Sequence, residues 1–260
     1  MKLIDIIHYP LKSGAPVHQQ SADVDHLGVQ YDRRFMLVEQ DGSFVSARRD
    51  PKLLNLSLTY YDSTIDLSYA GEHLASISSK SSGRMEVTVW DRTISSLCID
   101  NASKPISDLL GRPVRLVYND ELSQDIAVKR YPWGPLFSDG YPILLTTTAS
   151  LAAVNHASGG DYEMARFRPN LVIDNQIPWE EDHWHTFSIG SVLFKRVKPC
   201  ERCVLTTRDP ITGNKDPNQE PLKTLAKIHR GNDGAINFGQ NIEVLTPGTI
   251  NRGDAVTLIE

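Results

Sequence analysis

Apolar and polar residues alternate in short runs through the first half of this chain. Turn residues cut the runs before a helical period can build. In LNLSLTYYDSTIDLSYAG (54–71) the alternation reads as a hairpin, and RMEVTVWDRTISSLCID (84–100) as another. A period of two puts every second side chain on one face of a strand, so such runs must find a sheet to bury that face. KLIDIIHYP (2–10) reads as a strand ended by proline, and RRFMLVEQDGSFVSAR (33–48) as two apolar runs around Asp41-Gly42, a hairpin signature. Helical signals are few. ASKPISDLLG (102–111) reads as a short helix with Pro105 near its start and Gly111 as its stop. PVRLVYN (113–119) is again a strand.

The texture changes near residue 120. QDIAVKRYPWGPLFSDGYP (124–142) is rich in proline, glycine and polar residues and reads as a long loop or linker. PILLTTTASLAAVNHAS (142–158) is a strand feeding a helix through a Thr/Ser cap. FRPNLVID (167–174) and SVLFKRVKP (191–199) read as strands, PLKTLAKIHR (221–230) as a short helix, and NIEVLTPGTINRGDAVTLIE (241–260) as two strands around Pro247-Gly248. The expected fold is mainly β with short helices (α+β), rich in barrels. The expected domains are 1–122 and 123–260.

At 260 residues the chain has ample core for one large or two small domains. A net charge of −5 argues against a general nucleic-acid or membrane-surface binder, while leaving room for a local basic pocket. No apolar run approaches the ~20 residues of a spanning helix, and the start MKLIDIIHYPLKS is too polar for a signal peptide. Three cysteines do not make a disulfide framework, so a cytoplasmic setting with reduced thiols is expected.

Two of those cysteines stand in VKPCERCVLTTRDPITG (197–213). A C-x-x-C pair supports several chemistries. A structural zinc site wants four ligands, and only His183 and His185 offer a second pair. A redox dithiol wants a helix N-terminus, whereas VLTT favours a strand or loop. Two buried structural thiols are the bland alternative. Lys198, Arg202 and Arg208 crowd the pair, and positive charge favours the thiolate that binds a soft metal.

The stretch strongly resembles the cysteine motif of MOSC-domain proteins, on the branch of the mitochondrial amidoxime reducing component and its bacterial relatives. HYPLKS (8–13), YDRRFMLVEQDGSFVSARRDPKL (31–53), FSDGYPILLTTTASL (137–151), FRPNLVI (167–173), EPLKTL (220–225), FGQN (238–241) and PGTINRGD (247–254) follow in family order, covering essentially the whole chain. The resemblance implies an N-terminal β-barrel-like domain, a C-terminal MOSC β-barrel and a molybdenum cofactor (molybdopterin, Mo) between them. It implies that Cys203 ligates molybdenum, that Cys200 is a neighbour and that the isolated Cys98 is structural. It assigns Lys12, Ser13 and Arg34 to cofactor positions of the first half. Asp139, Gly140, Arg168, Asn170 and Arg202 take those of the second, where a phosphate calls for cationic and N–H donors. Asp139 is also a candidate proton relay. Arg48 lies in a matching block outside this set, and Thr147 is open between a contact and a helix cap. Glu201 departs from the small polar residue relatives often carry between the cysteines.

The implied activity is reduction of small N-hydroxylated compounds, N–OH to N–H. The alternative is a sulfur carrier holding a cysteine persulfide. An iron–sulfur cluster takes about four thiolates, and there is no Rossmann fingerprint. A separate iron–sulfur or flavin electron-transfer protein is therefore the expected partner.

Overall fold

A computed structural model describes residues 1–61, 63–120 and 136–259. Most of the linker expected at 124–142, and the boundary at 122/123, lie outside the described residues. The chain packs as two compact units that interleave in sequence. One comprises Met1–His8, His18–Gln30 and Gly140–Glu260, the other Tyr9–Val17 and Tyr31–Asp139.

The strands in chain order are β1 (Lys2–His8), β2 (Val17–Gln19), β3 (Ser21–Asp25), β4 (Gly28–Val29), β5 (Phe35–Val38), β6 (Leu56–Tyr61), β7 (Thr64–Tyr69), β8 (Glu72–Ser78), β9 (Gly83–Val89), β10 (Arg92–Cys98) and β11 (Arg115–Tyr118). They continue with β12 (Ile143–Thr147), β13 (Leu171–Asp174), β14 (Thr186–Ile189), β15 (Val192–Glu201), β16 (Asn237–Thr246), β17 (Gly248–Asn251) and β18 (Val256–Leu258). Among the described residues, three short helices, α1 (Asp100–Leu110), α2 (Thr148–Ser158) and α3 (Leu222–Ile228), complete a mainly β protein.

In the first unit an eight-stranded sheet runs β18-β14-β15-β16-β12-β13-β1-β2. β1 joins it by pairing antiparallel with β13. This draws the first eight residues away from the segment that follows them. β12 and β13 run parallel, which demands a crossover, and α2 supplies it. Thr147 caps α2 by accepting from the Ser150 amide, as its sequence implies. Every residue of β12 is buried, as in a strand covered on both faces. Leu3, Ile6, Leu145, Phe187 and Phe194 lie in the core. The barrel is not closed. The sheet curls until Lys2 meets Ala255 in a single antiparallel bridge, not a ladder, beside β18. The C-terminal stretch, expected as two strands, holds three. β17 leaves the large sheet to pair with β3, and β18 returns to β14.

In the second unit β5-β11-β10-β9 and β6-β7-β8 form two open sheets. The alternation in 54–71 emerges as the β6–β7 hairpin, with Leu58 opposite Leu67 and both fully buried. Pro105 is not near the start of its helix. α1 begins at Asp100, so proline sits in the second turn, and the helix ends at Gly111 in the left-handed conformation. Cys98 is 4% exposed among Met36, Val38 and Val87, and burial pushes its thiol pKa up, in keeping with a structural role.

One half-buried polar pin in the first unit makes stability depend on pH. His229 lies 2.7 Å from Asp182 at Nε2 and 3.0 Å from the Asn237 carbonyl at Nδ1, and it stacks on Trp179. Two acceptors require both ring nitrogens to carry hydrogen. Burial opposes that charge, but Asp182 and the carbonyl raise the His229 pKa overall. Its stabilisation is complete below the unfolded histidine pKa of about 6.5 and is lost as pH rises through the folded value. Glu181, raised by burial despite hydroxyl donors from Ser150 and Thr147, adds a loss in the same direction. The melting temperature of His229→Gln should approach that of the parent as pH is raised from 6 to 9. A constant difference across that range would remove His229 from the account.

Candidate cofactor site

β15 delivers Cys200 to its C-terminal end, and the chain then leaves the sheet. Val204–Thr207, expected as strand or loop, instead forms one 3-10 turn with Cys203 as its N-cap. The threonines explain the difference, since their hydroxyls donate back to the carbonyls of Cys203 (3.0 Å) and Val204 (2.8 Å). Both cysteines are free thiols, Cys200 half-buried and Cys203 exposed. Of the three cations expected around them, only Arg202 reaches a sulfur, donating to Cys200 Sγ at 2.9 Å. Its other terminal nitrogen donates to the Phe167 carbonyl at 2.7 Å. Lys198 lies 5.5 Å from the Tyr141 ring centre, and Arg208 donates to the Gly213 carbonyl. Cys203 Sγ has no hydrogen-bond partner among the described residues and opens to solvent. Of the two thiols, it is the more exposed. No group of three or more His, Cys, Asp or Glu side chains among the described residues is placed to hold a metal.

Arg168 follows a short 3-10 turn, Met164–Phe167, and adopts φ 54°, ψ 48°. A left-handed arginine costs on the order of 1–3 kcal/mol, which packing must offset. The anchors flank it. Phe167 stacks on Phe238 at 3.8 Å, and Asn170 is fully buried. Asn170 Oδ1 accepts from the Leu144 amide at 3.1 Å, and Nδ2 donates to the Ile7 carbonyl at 3.1 Å. With Oδ1 and Nδ2 both bonded to backbone, Asn170 is a strut tying β12 to β1 beside the Arg168 loop, a structural duty in addition to the cofactor contact that the motif implies. Gly140 is half-buried with nothing within 4 Å of where a Cβ would stand, so the surrounding chain does not itself demand glycine.

The second unit gathers Lys12 and Asp139. The Lys12 ammonium is buried, donates to the Phe137 carbonyl at 2.8 Å and ion-pairs with Asp139. Burial lowers the Lys12 pKa, and Asp139 offsets part of that. For Asp139, lost hydration raises the pKa. The Lys12 charge and hydrogen bond, then Arg33 and Trp90, outweigh it and hold the carboxyl well below the usual range. The geometry makes Asp139 the partner that fixes Lys12. Ser13, half-buried at φ 66°, precedes Gly14, whose Cβ would stand 2.8 Å from that of Leu11. Arg34 is buried with its guanidinium 5.6 Å from the Tyr118 ring centre.

Two residues here escape motif reading. Trp90 Nε1–H donates to Asp139 at 3.1 Å, and Arg92 donates to the Ser138 carbonyl at 2.9 Å. Trp90 lies in the β9–β10 turn, and Arg92 opens the strand that follows it. The available signal was a tryptophan where a tight hairpin favours glycine, asparagine or aspartate.

Comparison with known proteins agrees with the order of motifs. The MOSC N-terminal beta barrel domain matches residues 1–113 and the MOSC domain matches 135–257. The mitochondrial amidoxime-reducing component 1 of Mus musculus is 33% identical over 96% of this chain and 80% of its own length. That of Homo sapiens is 33% identical over 96% and 81%. That of Danio rerio is 30% identical over 96% and 82%. The chain therefore belongs to the MOSC-domain family, with the mitochondrial amidoxime-reducing components among its relatives.

Proposed function

We propose that this protein is a molybdenum-cofactor-dependent reductase of small N-hydroxylated compounds, working in the cytoplasm. The observation that carries the reading is the identity of 33% along 96% of the chain with proteins named for amidoxime reduction. The site's chemistry is compatible. Cys203 offers one uncommitted, solvent-facing thiol, the donor a soft metal takes, and Arg168 supplies a guanidinium suited to a phosphate. The cofactor, when bound, supplies the two-electron chemistry. In balance, N–OH takes up two electrons and two protons and gives N–H and water. The protein's own part is to present Cys203 from a capped turn and to hold the Arg168 loop rigid through Asn170 and the Phe167–Phe238 stack.

The test is to produce the full chain in a cofactor-competent host and measure molybdenum, pterin and turnover of benzamidoxime with a reduced viologen dye. Stoichiometric metal with turnover supports the reductase. Sulfane sulfur on Cys203 without molybdenum supports the persulfide carrier instead. The expectation for the second unit is tested separately, by a fall in pterin content of Arg34→Ala without a matching fall in apo-protein stability.

Electrons must come from elsewhere. Two of the three cysteines of these 260 residues lie in one motif, and a cluster takes about four thiolates. Holo-protein should be inactive with NADH or NADPH alone and active with reduced viologen. Turnover with NADH and no partner protein would mean that a second redox site lies in the chain.

A further inference from the structure

His229 closes α3 in the first unit, and three separate contacts lead from there to the loops of the candidate cofactor site. α3 packs against the Val204–Thr207 turn that Cys203 caps. His229 Nδ1 lies 3.0 Å from the Asn237 carbonyl, and the Asn237 amide donates back to the His229 carbonyl at 3.3 Å. Asn237 opens β16, where it pairs with Glu201, and the carbonyl before it, that of Ile236, accepts from the Arg202 amide at 2.7 Å. Glu201 and Arg202 are the two residues between the cysteines. On the other side Phe238 follows Asn237 and stacks on Phe167, next to Arg168. Trp179, stacked on His229 at 3.9 Å, also meets Phe238 edge to face at 6.2 Å.

One carbonyl therefore stands between the ring and both loops. A histidine with an acceptor at each nitrogen needs a proton on each. The ring sheds one of them as pH rises through its raised pKa. A single N–H then has two acceptors, and Asp182 keeps it. An ionised carboxylate is the stronger acceptor, and this one is fixed at its other oxygen by the Gln240 side chain at 2.6 Å. The Nδ1 lone pair is left facing the Asn237 carbonyl and repels it. The segment pushed is the one that Arg202 and Phe238 share.

The charged groups acting on the ring are Asp182 and Glu181, both on the Glu180–His183 turn. Trp179 and Asn237, on its other sides, do not titrate. Glu243, the ionisable residue of β16, stands further along the strand opposite Lys195. Lys223 and Lys227 of α3 are exposed, and the Arg230 guanidinium donates to the Ala226 and Gly234 carbonyls. The Val204–Thr207 turn carries no titratable side chain, and α2, which packs on α3, carries the exposed His156.

We infer that His229 is a positioning residue for the candidate cofactor site: its charged ring holds the loops of Cys203 and Arg168 in register, and its neutral ring releases them. The consequence for cofactor retention rests on the reductase reading. The coupling of ring to loops does not.

Nuclear magnetic resonance of the cofactor-free full chain tests the coupling. Neither Val204, beside Cys203, nor Phe167, beside Arg168, has a hydrogen bond or ring contact to His229 among the described residues. The Val204 methyl and Phe167 ring signals should nevertheless titrate between pH 6 and 9 with the midpoint of the His229 ring. In His229→Gln that step should vanish. A pin that only adds stability would move the signals of Trp179 and Asn237 and leave those two still. Molybdenum retention of the loaded protein tests the consequence. The parent should hold the metal about tenfold longer than His229→Gln at pH 6, the worth of one charge-assisted hydrogen bond, and about equally long at pH 9. Val204 and Phe167 signals that stay still while the parent's ring titrates would overturn the coupling, whether or not the variant folds. Equal retention by parent and variant at pH 6 would overturn the positioning role. A chain whose signals respond but which takes up no molybdenum upholds the coupling and overturns the reductase reading instead.

Discussion

Cys203→Ala is expected to lose molybdenum by about tenfold or more, while Cys200→Ala keeps most of it. Removing a group that merely supports a metal ligand already costs about 10–100-fold in affinity, so removing the ligand itself costs at least that. The two thiols differ in what else they touch. Cys203 is exposed at the cap of a 3-10 turn, and its sulfur has no protein partner among the described residues. Cys200 is half-buried and accepts from Arg202, which retains its bond to the Phe167 carbonyl when the sulfur is gone. Molybdenum and pterin per chain, measured on both variants from the same host, decide the matter. Equal loss in the two would return the pair to a shared metal or dithiol chemistry.

Asn170→Ala should destabilise the protein by about 2–4 kcal/mol, with or without cofactor. The substitution strands two buried backbone groups, the Leu144 amide and the Ile7 carbonyl, and each unsatisfied group costs about 1–3 kcal/mol. The position lies between β12 and β1 and is fully buried. Arg168→Ala is the contrasting variant. It should lower pterin content while leaving apo-protein stability close to the parent. Chemical denaturation of both, cofactor-free, separates the strut from the contact. Parent-like stability in Asn170→Ala would mean that its amide is not holding the sheet.

Asn170 shows why a motif is an incomplete guide to roles. FRPN marks a loop with a job, but residue types alone do not say which side chain faces outward. Arginine and asparagine are both plausible phosphate donors. Burial and two backbone bonds give the asparagine a structural duty that the motif does not show. The same limit applies to VKPCERC. Charge near the cysteines was legible, but which sulfur the guanidinium would meet depends on how β15 leaves the sheet.

Local chemistry was sufficient for much of the rest. Alternation in 54–71 and 84–100 set the faces of two hairpins. Thr147 set the start of α2, and Gly111 the end of α1. These signals act over a few residues, through side-chain period, caps and left-handed turns, so they survive whatever surrounds them. Strand partners do not. The period that tells β1 which side to bury is silent on whether it pairs with its neighbour or with β13, about 170 residues away. The choice is made by apolar area that only the assembled sheet offers. Curl and closure are equally collective. One bridge at Lys2 and Ala255, in place of a ladder, follows from the accumulated twist of eight strands. Trp90 is the sharpest case. Its turn was legible from sequence, but its positive φ is kept by Asp139, Phe44 and Arg48, contacts that exist only once the sheet has brought those residues together.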